Sequence, residues 1–219
     1  DLFKVLYIPF SFISNIADTF WGFLVIIFLI HLLWWFGIHG ATIMSSFYTP
    51  IVLANMAANV NGANHFFAGD PMNAFVIIGG SGATLGMAIW LAFRARSAQL
   101  SSIGKVEIVP AIFNINEPIL FGLPIVYNVQ LAIPFIFAPL VSGTVGYFAV
   151  TSGLVKKIIL QQPWPTPVGL SGFLATASWE GAVLSIFCAF VAFLVWYPFI
   201  RHYDRVLLKK EQATEAAEK

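Results

Sequence analysis

Residues 182–200 read AVLSIFCAFVAFLVWYPFI, a stretch without a single charged side chain. A helix needs about 20 apolar residues to cross the roughly 30 Å hydrocarbon core of a bilayer. Three further stretches also meet that need, and the four predicted spans are Phe20–Ile38, Ala74–Phe93, Val129–Val150 and Ala182–Ile200. The sequence therefore predicts an all-α integral membrane fold.

The composition agrees with a bilayer as the solvent. Of the 219 residues, 59% are hydrophobic and 10% are charged, and the mean hydropathy is +0.84. So few polar side chains cannot cover the surface of a water-soluble globule. The formal net charge of +1 provides no basic surface for nucleic acid, so we expect no nucleic-acid binding.

Motifs of several enzyme and metal-binding classes are missing from the sequence. It has no Gly-rich phosphate loop, no His-Glu-x-x-His zinc pattern and no Ser-His-Asp arrangement. Cys188 is the only cysteine and lies in an apolar run, which excludes an intrachain disulfide and a Cys-rich metal site. We therefore expect no metal and no cofactor, and the sequence disfavours a self-contained hydrolase or an ATP-driven pump.

Three long segments outside the predicted spans are too apolar for ordinary loops and too broken by Pro, Gly and Asn for simple helices. They are His39–Pro71, Val106–Tyr127 and Gln161–Trp179. Irregular backbone at membrane depth is tolerated only where protein or a wet cavity surrounds it, because an unpaired amide in hydrocarbon costs several kcal/mol. These segments therefore predict re-entrant structure along a substrate pathway. For His39–Pro71, an extramembrane loop stays equally open.

Basic side chains predict the orientation. Two clusters follow the second and fourth spans, and the positive-inside rule places both in the cytoplasm. A full crossing by Val106–Tyr127 would put the clusters on opposite sides, so we expect a re-entrant hairpin that enters from the cytoplasm. Residues 201–219 then form a charged cytoplasmic tail, although Lys156 and Lys157 fall outside, against the rule. The clusters are Arg94, Arg96 and Lys105, and Arg201, Arg205, Lys209 and Lys210.

Two smaller features belong to this scheme. Gly79, Gly82 and Gly86 are spaced by three and four residues, which on a helical second span would give a stripe where another backbone can approach. Lys4–Asp18 is interrupted by Pro9 and is predicted as an interfacial helix or the end of a preceding span. The first residues, without an initiator Met, read as a beginning partway through a protein.

Glu117 is the sharpest candidate for a functional residue. A carboxylate between Asn116 and Pro118 in an apolar stretch is costly and needs a partner or a functional reason. Pro118 disfavours helix at the residue before it, so we expect two short segments that meet at a polar tip. With Asn114 and Asn116, this tip offers the donors and acceptors that sugar hydroxyls require. A structural carboxylate bonded to neighbouring amides is the alternative.

His39 is the second candidate. It closes the first predicted span, and the following Gly40 lets the backbone turn. An imidazole there can donate or accept a hydrogen bond near neutral pH. Taken alone, an interfacial role is equally open, because such residues are common at span ends.

The stretch from Asn114 to Pro124, NINEPILFGLP, resembles the IIC subunits of the bacterial phosphotransferase system, in the lactose, cellobiose and diacetylchitobiose family. WFGIHG at residues 35–40 and SGFLAT at residues 171–176 match in the same order. The likeness covers nearly the whole chain but only the C-terminal half of such a subunit. It implies that residues 1–200 form the substrate-binding membrane domain.

The resemblance implies a transport function. Members of that family import β-linked disaccharides through the bacterial cell membrane, while a phosphocysteine on a separate IIB component phosphorylates a sugar hydroxyl. By this resemblance Glu117 and His39 lie at the sugar, and Glu117 accepts the proton of the hydroxyl. It also implies a homodimer that forms mainly through the N-terminal half, which this sequence lacks.

Two other classes of function stay open at this point. A secondary transporter would use Glu117 as the site of a coupling proton, as carboxylates in membranes often are. A membrane scaffold without transport activity would bind no sugar. Protonophore sensitivity and sugar binding separate these alternatives.

Overall fold

The computed structural model describes residues 16–217, and this part of the chain is helical without any β-strand. The predicted all-α fold is therefore confirmed. Most of Lys4–Asp18 lies outside the described residues, so the prediction for that segment stays untested. The helices are α1 (Phe20–Trp35), α2 (Gly40–Val60), α3 (Leu85–Arg94), α4 (Ala98–Ile112), α5 (Glu117–Gly122), α6 (Val129–Thr151), α7 (Leu170–Thr176) and α8 (Trp179–Ala217), and a π-helical turn covers Met72–Val76.

Two of the described helices, α6 and α8, are long and apolar enough to cross a bilayer. They pack against each other and contain the predicted spans Val129–Val150 and Ala182–Ile200. Helix α1 is also apolar but ends at Trp35, before the predicted boundary at Ile38. It ends there because Gly37 takes a φ of +79° and the Ile38 N–H donates to the Leu33 carbonyl at 2.9 Å, which closes the last turn.

The prediction of Ala74–Phe93 as one continuous span is wrong. After the π-helical turn the backbone unwinds, and Gly79, Gly80 and Gly82 take φ angles of +82°, +92° and +90°. These angles are accessible to glycine and strained for residues with a Cβ atom. Helical structure resumes at Leu85, so hydropathy alone had joined a broken segment and a short helix into one span.

Side chains from other helices satisfy the backbone groups that this break frees. The Ser142 hydroxyl of α6 donates to the Val76 carbonyl at 2.9 Å, and the Trp196 indole of α8 donates to the Gly82 carbonyl at 2.7 Å. Unwound backbone is tolerated within an apolar protein when its polar groups are paired in this way. The predicted glycine stripe is likewise wrong, because only Gly86 of its three members lies in a helix.

The two predicted irregular segments on either side of this region contain helices. His39–Pro71, predicted as a loop or a re-entrant segment, contains the 21-residue helix α2, which packs against α1. The segment Val106–Tyr127 has the predicted form of two arms that meet at a polar tip. Its first arm is α4, which already begins at Ala98, and its second arm is the short helix α5.

Candidate functional site

The tip between α4 and α5 is fixed to two other segments by the side chain of Asn114. Its Oδ1 accepts a hydrogen bond from the Gly79 N–H at 2.8 Å, and its Nδ2 donates to the Trp164 and Thr166 carbonyls at 2.9 and 3.3 Å. Asn114 has a φ of +60°, a left-handed conformation that Asn tolerates better than most residues. One amide thus joins the hairpin tip, the unwound segment and the loop before α7.

Asn116 makes a second connection of the same kind. Its Nδ2 donates to the Ser81 carbonyl and to the Thr84 hydroxyl, the latter at 3.0 Å. Both asparagines are buried, with exposed fractions of 8% for Asn114 and 3% for Asn116. Their amide donors are therefore engaged in holding the tip in place.

A cavity of about 460 Å³ opens beside this tip. Residues from α1, α2, the unwound segment, the hairpin tip and the loop before α7 surround it. The polar and aromatic side chains that line it include Trp34, His39, Tyr48, Asp70, Asn73, Asn114, Asn116, Glu117, Gln161 and Trp164. All four residues predicted from the sequence, His39, Asn114, Asn116 and Glu117, therefore line one cavity.

Glu117 is the first residue of α5 and is exposed at the cavity. Among residues 16–217, no side chain or backbone group forms a hydrogen bond or an ion pair with its carboxylate. A carboxylate in the first turn of a helix also faces the free N–H groups and the positive end of the helix dipole. The fold thus leaves the Glu117 carboxyl group accessible at the cavity and available for hydrogen bonding.

His39 lies across the cavity at the start of α2. Its Nδ1 accepts a hydrogen bond from the Thr42 N–H at 3.2 Å and so caps the helix. Because a backbone N–H can only donate, Nδ1 carries no proton and the neutral ring carries its proton on Nε2. The imidazole also packs on the Trp34 ring, with centroids 4.3 Å apart. His39 is thereby held as a donor that presents one N–H group.

The cavity contains a second polar group, around Asp70, that was not among the residues predicted from the sequence. Asp70 accepts hydrogen bonds from the Asn73 backbone N–H at 3.1 Å and from the Asn73 side chain at 2.7 Å. Tyr48 and Gln161 lie nearby on the cavity wall, and Trp164 exposes 55% of its surface. An Asp between Gly and Pro in an apolar stretch is a signal that could have identified Asp70.

Two polar features lie apart from this cavity. His65 Nδ1 is 2.6 Å from the Asp18 carboxylate in a pair that links the loop after α2 to the start of α1. Cys188 is fully buried in α8. Within the described residues, no three His, Cys, Asp or Glu side chains meet in a way that could hold a metal ion.

Broken helices that surround a cavity rich in hydrogen-bonding groups are a feature that many membrane transport proteins share. The family described as phosphotransferase system, EIIC matches residues 2–139. The chain belongs to this family, whose members are membrane proteins.

Individual relatives agree with this assignment. The chain is 43% identical over 195 residues to the lichenan permease IIC component of Bacillus subtilis, covering 84% of this chain and 42% of the relative. It is 41% identical over 215 residues to the cellobiose-specific EIIC component of Geobacillus stearothermophilus, covering 92% and 47%. The chain therefore spans less than half the length of these two relatives.

A solved structure shares the fold. The crystal structure of the transporter ChbC, the IIC component of the N,N'-diacetylchitobiose-specific phosphotransferase system, superposes with a TM-score of 0.88 at 36% identity. The superposition covers 95% of this chain and 50% of ChbC. The described helices thus form one half of a known transporter architecture.

Proposed function

We propose that this chain is the sugar-binding part of a permease that imports a β-linked disaccharide while a IIB phosphocysteine phosphorylates it. The observation that carries the proposal is that Glu117 and His39, from different parts of the chain, line one cavity with polar groups that the fold leaves free. A cavity of about 460 Å³ is within the size range of small-molecule sites, roughly 300–1,000 Å³. The relatives specific for lichenan, cellobiose and diacetylchitobiose support a β-linked sugar.

The groups in the cavity suit a neutral sugar. Glu117 offers acceptor oxygens for hydroxyl groups, and His39 offers the Nε2–H donor. Trp164 exposes an indole face on which the apolar C–H side of a pyranose can stack. We assign sugar binding to His39, Asn114, Asn116 and Glu117, with the asparagines acting mainly through the position of the tip.

Glu117 is also the group that can act in the chemical step. The sugar oxygen attacks the phosphorus of the phosphocysteine, an O–P bond forms and the P–S bond breaks, and the thiolate leaves on the IIB component. The hydroxyl proton passes to Glu117, which acts as general base. The sugar gains a charge of about −2, and its repulsion from a carboxylate-lined cavity favours release.

The proposed membrane arrangement keeps the predicted orientation of the chain. Helices α6 and α8 cross the bacterial cell membrane, the hairpin of α4 and α5 enters from the cytoplasmic side, and Glu117 lies near the depth of the bilayer core. Residues 1–200 form the membrane domain, and residues 201–219 form the cytoplasmic tail. A homodimer through the half of the relatives that this chain does not cover completes the proposed assembly.

Uptake into proteoliposomes tests the proposal against a proton-coupled transporter, which membership of the family does not favour. The full-length protein is reconstituted with labelled cellobiose or diacetylchitobiose outside and phosphorylated IIB inside. We expect sugar phosphate to accumulate only with the phosphoryl donor, and a protonophore to leave it unchanged. Uptake that needs a proton gradient and no donor would support the rival function.

A further inference from the structure

Glu107 is a second carboxylate of the hairpin, and the mechanism above does not use it. Its side chain is completely buried, with an exposed fraction of 0%, and neither carboxylate oxygen forms a hydrogen bond of normal geometry among the described residues. The Ile119 N–H of α5 lies close to the carboxyl group, but it donates to the Asn116 carbonyl at 3.0 Å. A buried ionised carboxylate without a partner costs several kcal/mol, and such groups take up a proton instead. This carboxyl group therefore needs a reason to be there.

The packing of α4 explains why this position is dry. Glu107 shares the buried face of the helix with Leu100, Gly104 and Ala111. Gly104 brings the two backbones together, since a Cβ atom there would lie 2.3 Å from the Ala92 nitrogen of α3. Because the chain's own residues already cover Glu107 completely, a partner from elsewhere cannot reach it without a rearrangement.

The charged group that faces Glu107 has the same sign. Helix α5 folds back on α4, and the carboxyl groups of Glu107 and Glu117 are close enough to interact electrostatically. The other charged groups on the helices packed against α4 are engaged elsewhere or exposed: Asp204 and Glu211 of α8 bind the backbone at the start of α4, and Arg94 of α3 is exposed. On α4 itself, Lys105 is exposed.

We propose that Glu107 is a positioning residue that is kept as the neutral carboxylic acid beneath the hairpin tip. Burial away from water disfavours the charged form of a carboxyl group, so a fully buried Glu107 keeps its proton. Loss of that proton would place an unpartnered charge in the dry contact between α3, α4 and α5. The hairpin would then open to admit water, and the sugar-binding tip would lose its position.

The pH dependence of sugar binding tests this role, which rests on the proposed sugar site. Disaccharide affinity of the full-length protein is measured by calorimetry from about pH 6 to about pH 9, where carboxyl groups in apolar surroundings ionise. If only the neutral form binds, parent affinity falls by about tenfold per pH unit above the midpoint. Glu107→Gln mimics the neutral acid, so it should bind like the parent at low pH and keep that affinity at high pH.

Glu215→Gln is the matched control, because Glu215 is exposed on α8 and the change is chemically identical. It should follow the parent at every pH. The proposal would be overturned if the disaccharide affinity of the parent and of Glu107→Gln fell equally at high pH. It would also be overturned if Glu107→Gln bound the disaccharide weakly at pH 6. A parent that binds no sugar at any pH would instead count against the proposed function.

Infrared spectroscopy tests the protonation state without any sugar. A neutral carboxylic acid has a C=O stretching band that ionised carboxylates lack. At pH 7 the parent protein should show a contribution from Glu107 to this band. That contribution should be absent from the spectrum of Glu107→Gln and shifted in the spectrum of Glu107→Asp. If Glu107→Gln does not fold, the shift in Glu107→Asp still identifies the band. A spectrum at pH 7 in which neither variant changes the band would overturn the proposal.

Discussion

Glu117 and His39 line the same cavity, but the fold constrains them differently. The imidazole is fixed by the Thr42 N–H and by the Trp34 ring, so His39 presents one predetermined donor. Within the described residues nothing bonds the Glu117 carboxylate, so this side chain is free to bind a hydroxyl group and to accept its proton. This contrast favours an orienting role for His39 and a chemical role for Glu117.

Substitution of the two residues in the full-length protein should separate these roles. Glu117→Gln keeps the size and one acceptor oxygen but removes charge and basicity, so phosphorylation should fall by more than binding. Loss of a charge-assisted hydrogen bond should weaken binding by roughly 1.5–3 kcal/mol, or about tenfold to a hundredfold. His39→Ala should act mostly on binding. Disaccharide affinity and IIB-dependent phosphorylation are measured for both variants.

Several outcomes would contradict this division. Parent-like binding and phosphorylation by Glu117→Gln would remove Glu117 from the site. An equal loss of both quantities would make it a sugar-binding group without a general-base role. Both variants must first insert and purify normally.

Asn114 was predicted to bind the sugar directly, but its side chain bonds the protein's own backbone and so positions the hairpin tip. Asn114→Ala removes three hydrogen bonds to two other segments and leaves a buried Gly79 N–H unpaired, which costs roughly 1–3 kcal/mol. We expect a lower midpoint of thermal unfolding together with weaker sugar binding. Asn64→Ala is the control, because Asn64 is exposed and its replacement should change neither quantity. A normal unfolding midpoint for Asn114→Ala would show that these bonds do not stabilise the fold.

At the scale of elements, the unwound segment between the π-helical turn and α3 supports the site. It binds the hairpin tip through two backbone groups: the Gly79 N–H donates to Asn114, and the Ser81 carbonyl accepts from Asn116. The Trp196 indole in turn donates to the Gly82 carbonyl of this segment. Helix at this point would remove the groups that bind the two asparagines. The break is therefore part of the site rather than a gap between two helices.

Gly82→Ala tests the importance of this break. At Gly82 a Cβ atom would combine a φ of +90° with a position 2.4 Å from the Phe135 ring. At Gly153, the φ is +80° and no atom lies within 4 Å, so Gly153→Ala carries the backbone strain alone. We expect Gly153→Ala to cost roughly 1 kcal/mol and Gly82→Ala clearly more, measured as shifts in thermal unfolding. Equal shifts would mean that the contact with Phe135 relaxes freely.

The sequence predicted the elements whose signal is local. Pro118 and the neighbouring asparagines indicated the hairpin tip, and long apolar runs indicated α6 and α8. Hydropathy could not reveal the break in Ala74–Phe93, because it measures how apolar the side chains are and not which φ angles the glycines between them adopt. Asp70 had a local signal in its position between Gly69 and Pro71, whereas the importance of Glu107 depends on which distant segments the fold brings against it.

At the scale of the whole molecule, α8 runs from an apolar stretch into a charged C-terminal part without a break. With 39 residues it is roughly 58 Å long, about twice the hydrocarbon thickness of a bilayer. Beyond the apolar part, Asp204 accepts hydrogen bonds from the Arg96 and Ser97 N–H groups, and Glu211 accepts from Ala98 and Gln99. The tail thereby caps α4, the first arm of the hairpin that carries Glu117.

This arrangement predicts on which side of the membrane each end of α8 lies. A cysteine at Ala213, on the exposed tail, should react with an impermeant thiol reagent only after intact cells are opened, because the positive-inside rule predicts that the tail is cytoplasmic. A cysteine at Leu154, which is 77% exposed in the connection from α6 to α8, should react in intact cells. Cys188 is buried and should give little background in the parent protein. Labelling of the Ala213 cysteine in intact cells, with the Leu154 cysteine protected, would show that the chain has the reverse orientation, and the IIB component would then face the wrong end of the hairpin.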